Sequence, residues 1–346
     1  MSALGERRAV IDVGTNSVKL MVADVGVEVR PVLKMSRQTR LGQGAFHTKR
    51  LRSDAIARTA AAVAELASRA DELEPTGIRV LATCATRETT NGGELVQAIK
   101  DASGLTVEIV SGQQEARLVF QGVTSDPALT LRRLLIVDVG GGSTEWVLGE
   151  RGFIRFAAST LLGTSRLLEL DPPADPPTRV ELTRYRANVA AVLARQVRPR
   201  LEPVLNSFGD RGLQLVGLGG ALKTLAHIGS RPSSGGQGDP PCLQLDDIGE
   251  RLEWLWSLSS AQRRRLEGLD PEKADVILAG AVIYEAVMRV FGFAQLLVSQ
   301  RGLREGALLD QAQFAHAAKP FRWPGLQWSS AAKSWAPPSV GALSGA

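Results

Sequence analysis

The sequence predicts an α/β protein of two lobes, made by internal duplication, with a cleft between them. Three observations carry that expectation. Asp-Val-Gly-x-x-Ser occurs twice, in "AVIDVGTNSVKL" from Ala9 and in "LLIVDVGGGSTEW" from Leu134. Each copy joins two aliphatic runs of strand length through a glycine turn. Behind each copy, helical and strand patterns alternate, as they do when helices cover a sheet.

Taken in order, residues 8–14 read as a buried strand and 17–25 ("SVKLMVADV") as its partner, with Gly14, Thr15 and Asn16 in the turn of a hairpin. From Ser53, the residues Ile56, Ala60, Val63, Leu66, Ala70 and Leu73 recur at helical spacing. A strand "IRVLATCAT", a short helix near 92–102, a strand near 105–110 and a helix from about 113 complete the first unit. At 133 the pattern restarts as strand, glycine turn, strand. Thr178 and Glu181 form a capping box for a helix that turns Leu182, Tyr185, Val189 and Val192 inward. "LQLVGLGGALKTLAHI" (213–228) reads as strand, glycine turn and helix, and 271–291 as an apolar helix. "DPPADPP" and "GSRPSSGGQGDPP" are loops by composition. The Ala, Ser, Pro and Gly-rich segment 317–346 reads as a loosely ordered tail. Three of the six tryptophans lie there, which leaves docking onto the body as an alternative. The expected division is 1–114 plus 297–316 for the first lobe and 115–296 for the second, with the helix after "GLREGALL" returning to the first.

Bulk properties narrow the function. The 346 residues are 44% hydrophobic, yet no apolar run approaches the ~18–20 residues of a membrane span. The apolar run after "MSALGERR" is too short for a signal peptide, so secretion is not expected. Cys84 and Cys242 stand far apart and match no zinc spacing, which fits a reducing cytoplasm. Subtracting 36 acidic from 41 basic residues leaves a net charge of +5, and a pI near 9.5 favours an anionic partner. The charges are dispersed, with no block of five like charges, and no specific nucleic-acid partner is expected. A homodimer is left open.

The repeated turn has its own chemistry. Glycines let backbone N–H groups converge without a Cβ in the way, and such a concave cluster binds phosphate oxygens. An aspartate ending the preceding strand supplies the hard carboxylate that magnesium requires, usually through water. Two facing copies would grip a chain of phosphates from both sides, with Ser17 and Ser143 adding hydroxyls. A single Asp-Gly turn is ordinarily only a hairpin; two copies at equivalent points argue against that reading. "GLGGALKT" (217–224) lacks Walker spacing, so a phosphate loop of that kind is excluded.

"AVIDVGTNSVKLMVADV", "LATCATRETTNG", "VEIVSGQQEARLVFQGV", "LLIVDVGGGSTEWVLG", "LVGLGGALKTLAHI" and "SQRGLREGALL" together resemble, in order and spacing, the exopolyphosphatase and guanosine pentaphosphate phosphohydrolase family. That family belongs to the actin, hexokinase and Hsp70 superfamily, whose lobes are ribonuclease H-like. The resemblance covers about residues 8–312. It implies that Glu115 is the catalytic residue, orienting water and taking its proton, and Gln114 in the preceding place leaves a single carboxylate for that role. It further implies that Asp12, Asp138 and Glu145 organise Mg2+, and that Asn16, Ser17, Lys19, Gly141, Gly142, Ser143 and Arg87 meet phosphate. Arg40 is a weaker candidate of that kind. A monovalent cation requirement is a family expectation.

The chain also departs from the pattern. Lys19 stands where arginine or histidine is usual, Ala221 where threonine commonly follows the third glycine turn, and Lys273 where Arg-Ala-Asp is usual. Longer members append a helical domain, and this chain is expected to be of the short, two-lobed type. The implied activity is release of terminal orthophosphate from linear inorganic polyphosphate, by metal-assisted attack of water. Removal of the 5′ terminal phosphate of guanosine pentaphosphate uses the same chemistry. A sensor of polyphosphate or alarmone without turnover is a third reading. A kinase or ATPase of the superfamily would need an adenosine pocket near 217–224.

Overall fold

The computed structural model describes residues 5–209, 212–228 and 240–314. The expected tail and most of "GSRPSSGGQGDPP" lie outside those residues. The first half contains strands β1 (Glu6–Val13), β2 (Ser17–Val25) and β3 (Val29–Gln38), then helices α1 (Ala45–Thr48) and α2 (Ser53–Asp71). β4 (Ile78–Ala82), α3 (Cys84–Arg87), α4 (Gly92–Ser103), β5 (Val107–Ile109) and α5 (Gly112–Thr124) follow. The second half restarts with β6 (Arg133–Val139), β7 (Thr144–Glu150) and β8 (Phe153–Thr160), then α6 (Thr164–Leu170), α7 (Arg179–Val192) and α8 (Arg198–Phe208). Next come β9 (Leu213–Leu218), α9 (Gly220–His227), β10 (Cys242–Gln244), α10 (Leu245–Trp256) and α11 (Ser260–Arg263). α12 (Val276–Phe291), β11 (Gln295–Val298) and α13 (Leu303–Phe314) complete it.

The duplication is visible strand by strand. One sheet has the order β3-β2-β1-β4-β5 and the other β10-β11-β9-β6-β7-β8, so read from the third strand of each half the two orders coincide. In the first sheet β2 alone is antiparallel to its neighbours, which is the ribonuclease H-like arrangement. The two hairpin turns close on the same bond, Gly14 N–H to the Ser17 carbonyl at 3.1 Å and Gly140 N–H to the Ser143 carbonyl at 2.9 Å.

Some elements differ from the expectation. The strand beginning at Ile78 ends at Ala82, and Cys84–Arg87 coil into a helical turn. β1, its partner, turns away at Gly14, so residues past Thr83 have no neighbouring strand; Arg87 and Glu88 N–H bond the carbonyls of Thr83 and Cys84 instead. β3 carries Pro31 and faces solvent along most of its length, so its alternation is weak, as an edge strand allows. "GLREGALL" is itself the start of α13 rather than its prelude.

The boundary expected at 114/115 falls inside α5, which serves both sheets. Its Ala116, Val119, Phe120 and Val123 pack with Leu134, Ile136 and Val147 of the second sheet. Leu118, on the opposite side, joins Ala307 and Leu308 of α13 against Val10, Met21 and Leu81 of the first. α5 and α13 cross almost backbone to backbone: a Cβ on Gly122 would lie 1.9 Å from the Gly302 carbonyl oxygen, and one on Gly306 1.8 Å from that of Leu118. Asp310 on α13, 1% exposed, receives Arg79 of β4 and Arg117 of α5, each at 2.9 Å. No helix among the described residues is long and apolar enough to cross a membrane.

Candidate active site

Strand register builds the site before any tertiary contact does. Antiparallel pairing sets Lys19 opposite Asp12 in the first hairpin and Glu145 opposite Asp138 in the second. Both hairpin turns open into one cleft with a cavity of about 150 Å³, which Glu115 also lines. In each turn the carbonyls are engaged on the outer side. Thr39 and Arg40 N–H bond the Asn16 carbonyl at 2.9 and 2.8 Å, and Gly42 N–H bonds that of Thr15 at 2.9 Å. Thr164 N–H bonds the Gly140 carbonyl at 3.0 Å, and Ser165 and Arg166 N–H bond that of Gly141 at 2.9 and 3.0 Å. With their carbonyls so placed, the turns offer N–H groups to the cleft, the geometry of an anion nest. They also touch each other: a Cβ on Gly141 would come within 2.8 Å of Thr15, and one on Gly142 within 2.8 Å of Cys84 Sγ.

Glu115 stands in the first turn of α5. Ser111 caps that helix by accepting from Gln114 N–H, while Gln114 Oε1 accepts from Ser111 N–H at 2.8 Å. Gln114 is thereby committed to the cap, and Glu115, 9% exposed, is the acid left facing the cleft. Arg87 Nη1 donates to Glu115 Oε2 at 3.1 Å and to the Val110 carbonyl at 2.7 Å. Arg87 thus holds the glutamate from behind rather than lining the cleft, and Arg40, exposed on its own loop, does not line it either. Ser159, unremarked in the sequence, donates to Glu145 Oε1 at 2.8 Å, and Ser143 supplies a second hydroxyl. Asn16 Oδ1 accepts from Ser165 at 2.6 Å, across the cleft. Ser17, Lys19, Gly141 and Gly142 all line the cavity.

Acid is concentrated here beyond what nearby cations neutralise. Burial pushes Glu115 well above the usual carboxylate range, the charge of Glu145 adds to the effect, and Arg87 opposes it. Burial, with Asp138 adding, lifts Glu145 to about 7. Asp138 is lifted by burial to about 6, and Asp12 is raised by burial; Lys19 tempers both. Interacting carboxylates of this kind titrate as a group.

These shifts fix a sign for stability. Unfolded carboxylates titrate near ~4, so between roughly pH 4 and 7 the folded protein binds more protons than the unfolded chain, and stability falls as pH rises. Acids held low by arginines, such as Asp54 and Glu65, act with the opposite sign, but only until the unfolded carboxylates have ionised, below about pH 5.5. In chelator, the protein is therefore expected to melt several degrees lower at pH 8 than at pH 5.5, with Asp138→Asn reducing the difference. Paired thermal melts check this, and an unchanged or higher melting temperature at pH 8 would contradict it.

The cleft continues into an annex lined by six cations, Lys19, Lys34, Lys223, Lys273, Arg301 and Arg304, and five acids, Asp12, Asp138, Asp270, Glu272 and Glu305. Among the described residues its lining includes no aromatic side chain. The third glycine turn, Gly219–Gly220, borders both spaces. Gly219 adopts φ +106, and a Cβ there would lie 2.5 Å from the Val139 carbonyl oxygen. Ala221 packs so closely on Gly280 of α12 that a Cβ on Gly280 would lie 2.4 Å from its own. That contact gives a physical reason for the small residue at this place. Burial lowers Lys223 to about 8, and its ammonium donates to the Gln300 carbonyl at 3.0 Å.

Comparison with known proteins places this site in a context. The model of the Ppx/GppA phosphatase family matches residues 20–314. Exopolyphosphatase 2 of Mycobacterium tuberculosis is 33% identical over 326 residues, an alignment covering 88% of this chain and 98% of that protein. A guanosine-5′-triphosphate,3′-diphosphate pyrophosphatase of Vibrio cholerae is 27% identical over 307 residues, covering 88% of this chain and 59% of that protein. Among solved structures, an exopolyphosphatase from Cytophaga hutchinsonii superposes with a TM-score of 0.80 at 25% identity, covering 89% of this chain and 98% of the other. The Aquifex aeolicus Ppx/GppA family member superposes with a TM-score of 0.72 at 29% identity, covering 90% and 99%. The family match runs from within β2 through the second hairpin, the third turn and α13, and the chain belongs to the Ppx/GppA phosphatase family.

Proposed function

We propose that the protein releases terminal orthophosphate from linear inorganic polyphosphate, with Glu115 as general base. The observation that carries this is the placement of Glu115, held by Arg87, in the same cleft as two turns that present N–H groups. The amides of Thr15, Asn16, Gly141 and Gly142, with Ser17 and Lys19, bind the terminal phosphoryl group, while the Gly14 and Gly140 N–H groups close the hairpins. Arg87 occupies one oxygen of Glu115, leaving the other to orient a water and take its proton as the water oxygen attacks phosphorus. The bond to the bridging oxygen breaks, and the shortened chain departs toward the annex.

Magnesium is part of this proposal. The surplus of carboxylates in a cleft meant for a polyanion calls for a cation. Among the described residues no three acidic, histidine or cysteine side chains gather into a direct metal-binding group; Asp12, Asp138 and Glu145 would hold the ion through water. When bound, it would neutralise charge on the transferred group.

The annex favours polyphosphate over guanosine pentaphosphate: its six lysines and arginines suit a continuing anion, whereas a purine gains from an aromatic stacking partner, and none lines the annex among the described residues. Phosphate release from each purified substrate, with magnesium, tests this. Faster release from polyphosphate is expected; equal or faster release from guanosine pentaphosphate would reverse the preference, and release from neither would sink the hydrolase reading.

A further inference from the structure

Each turn is built onto a neighbouring segment, and Glu169 makes the most bonds between those segments across the cleft. On the first-lobe side, Gly42 bonds the Thr15 carbonyl and the chain then runs directly into α1. On the second-lobe side, the first residues of α6 bond the carbonyls of Gly140 and Gly141. Glu169, near the end of α6, accepts from the N–H groups of Gly44 at 2.7 Å, Phe46 at 2.8 Å and His47 at 3.3 Å. Its own carbonyl meets His47 Nε2 at 3.0 Å. Arg166, one turn earlier, donates to the Gly142 carbonyl at 2.7 Å and lies over the Phe46 ring at 4.2 Å. Glu169 itself lines neither the cleft nor the annex.

A carboxylate shared by three amides is both strong and directional, since charge-assisted bonds are short and weaken steeply off line. Substituting Glu169 would loosen α1 from α6, and with them the two turns they carry. The lobes also meet where Ser165 donates to Asn16 Oδ1, where the two turns touch, and at the α5–α13 crossing, where glycine backbones meet. We infer that Glu169 is a positioning residue: it holds the two phosphate-facing turns at the separation at which both reach one phosphoryl group. This rests on the hydrolase reading above, because only a reaction gripped from both lobes would suffer when the separation changes.

The test compares the parent with Glu169→Ala and Glu169→Gln, the amide retaining one acceptor oxygen. Polyphosphate hydrolysis is measured alongside the distance between spin labels at Val27 and Val180, exposed positions on the first and second lobes, in a Cys242→Ser background. Glu169→Ala is expected to lose on the order of 10²-fold in kcat/KM, the scale of a misplacement near 1 Å, with a longer and broader label distance. Glu169→Gln should fall between. Parent-like turnover, or reduced turnover with the parent's distance distribution, would overturn the inference. Should Glu169→Ala fail to fold, Glu169→Gln is judged by the same two criteria. If the parent itself releases no phosphate, the hydrolase reading fails, while the label distances still decide whether Glu169 sets the separation.

Discussion

Replacing Glu115 by glutamine is expected to lower kcat for phosphate release by about 10²–10⁴-fold, the usual worth of a positioned general base, while polyphosphate binding persists. The amide has the size of the carboxylate, and Arg87 keeps its bond to the Val110 carbonyl, so the cleft should hold its shape. What is lost is the capacity to take a proton from water. The turns that grip the phosphoryl group belong to β1–β2 and β6–β7 and are untouched by the change. Steady-state kinetics and calorimetric binding check both halves of the statement. A variant that turns over within a factor of a few of the parent would remove Glu115 from the chemistry.

The second large effect is on the scaffold. Gly122→Ala places a Cβ where the Gly302 carbonyl oxygen already lies 1.9 Å away. Neither atom is the flexible end of a side chain, so α5 and α13 must separate. Overpacking of this kind costs about 1–3 kcal/mol and occasionally more, against a helix-propensity gain of about 1 kcal/mol for replacing glycine. Because α5 faces both sheets, the shift also moves Glu115 relative to the second hairpin. Gly122→Ala should therefore lower both the melting temperature and kcat, whereas Gly93→Ala, where a Cβ meets nothing within 4 Å, should lower neither. A Gly122→Ala protein as stable and active as the parent would show that the crossing is not tight.

What the sequence discloses about this site, and what it hides, follows from range. Asp12 and Asp138 are legible because their motif is local and written twice, and strand register alone then fixes Lys19 and Glu145 opposite them. The cap that frees Glu115 is legible for the same reason, since Ser111 and Gln114 are three residues apart. Arg87 is found by resemblance as a phosphate candidate, but its bond to Glu115 joins separate elements and has no local sign. Short α6, with Ser165, Arg166 and Glu169, shows too little periodicity to attract notice, and its partners lie more than a hundred residues earlier in α1 and the first turn. The annex is hidden for a related reason. Its cations come singly from β3, α9, α13 and the segments before α12 and α13, so no charge run marks it.

A crystal of Glu115→Gln grown with tripolyphosphate and magnesium offers the most direct trial. The terminal phosphorus should sit between residues 14–16 and 140–142, within one water of the substituted side chain, with the remaining phosphates leading toward Lys223 and Arg304. A terminal phosphate held by one turn alone, or lodged away from residue 115, would contradict the two-sided grip.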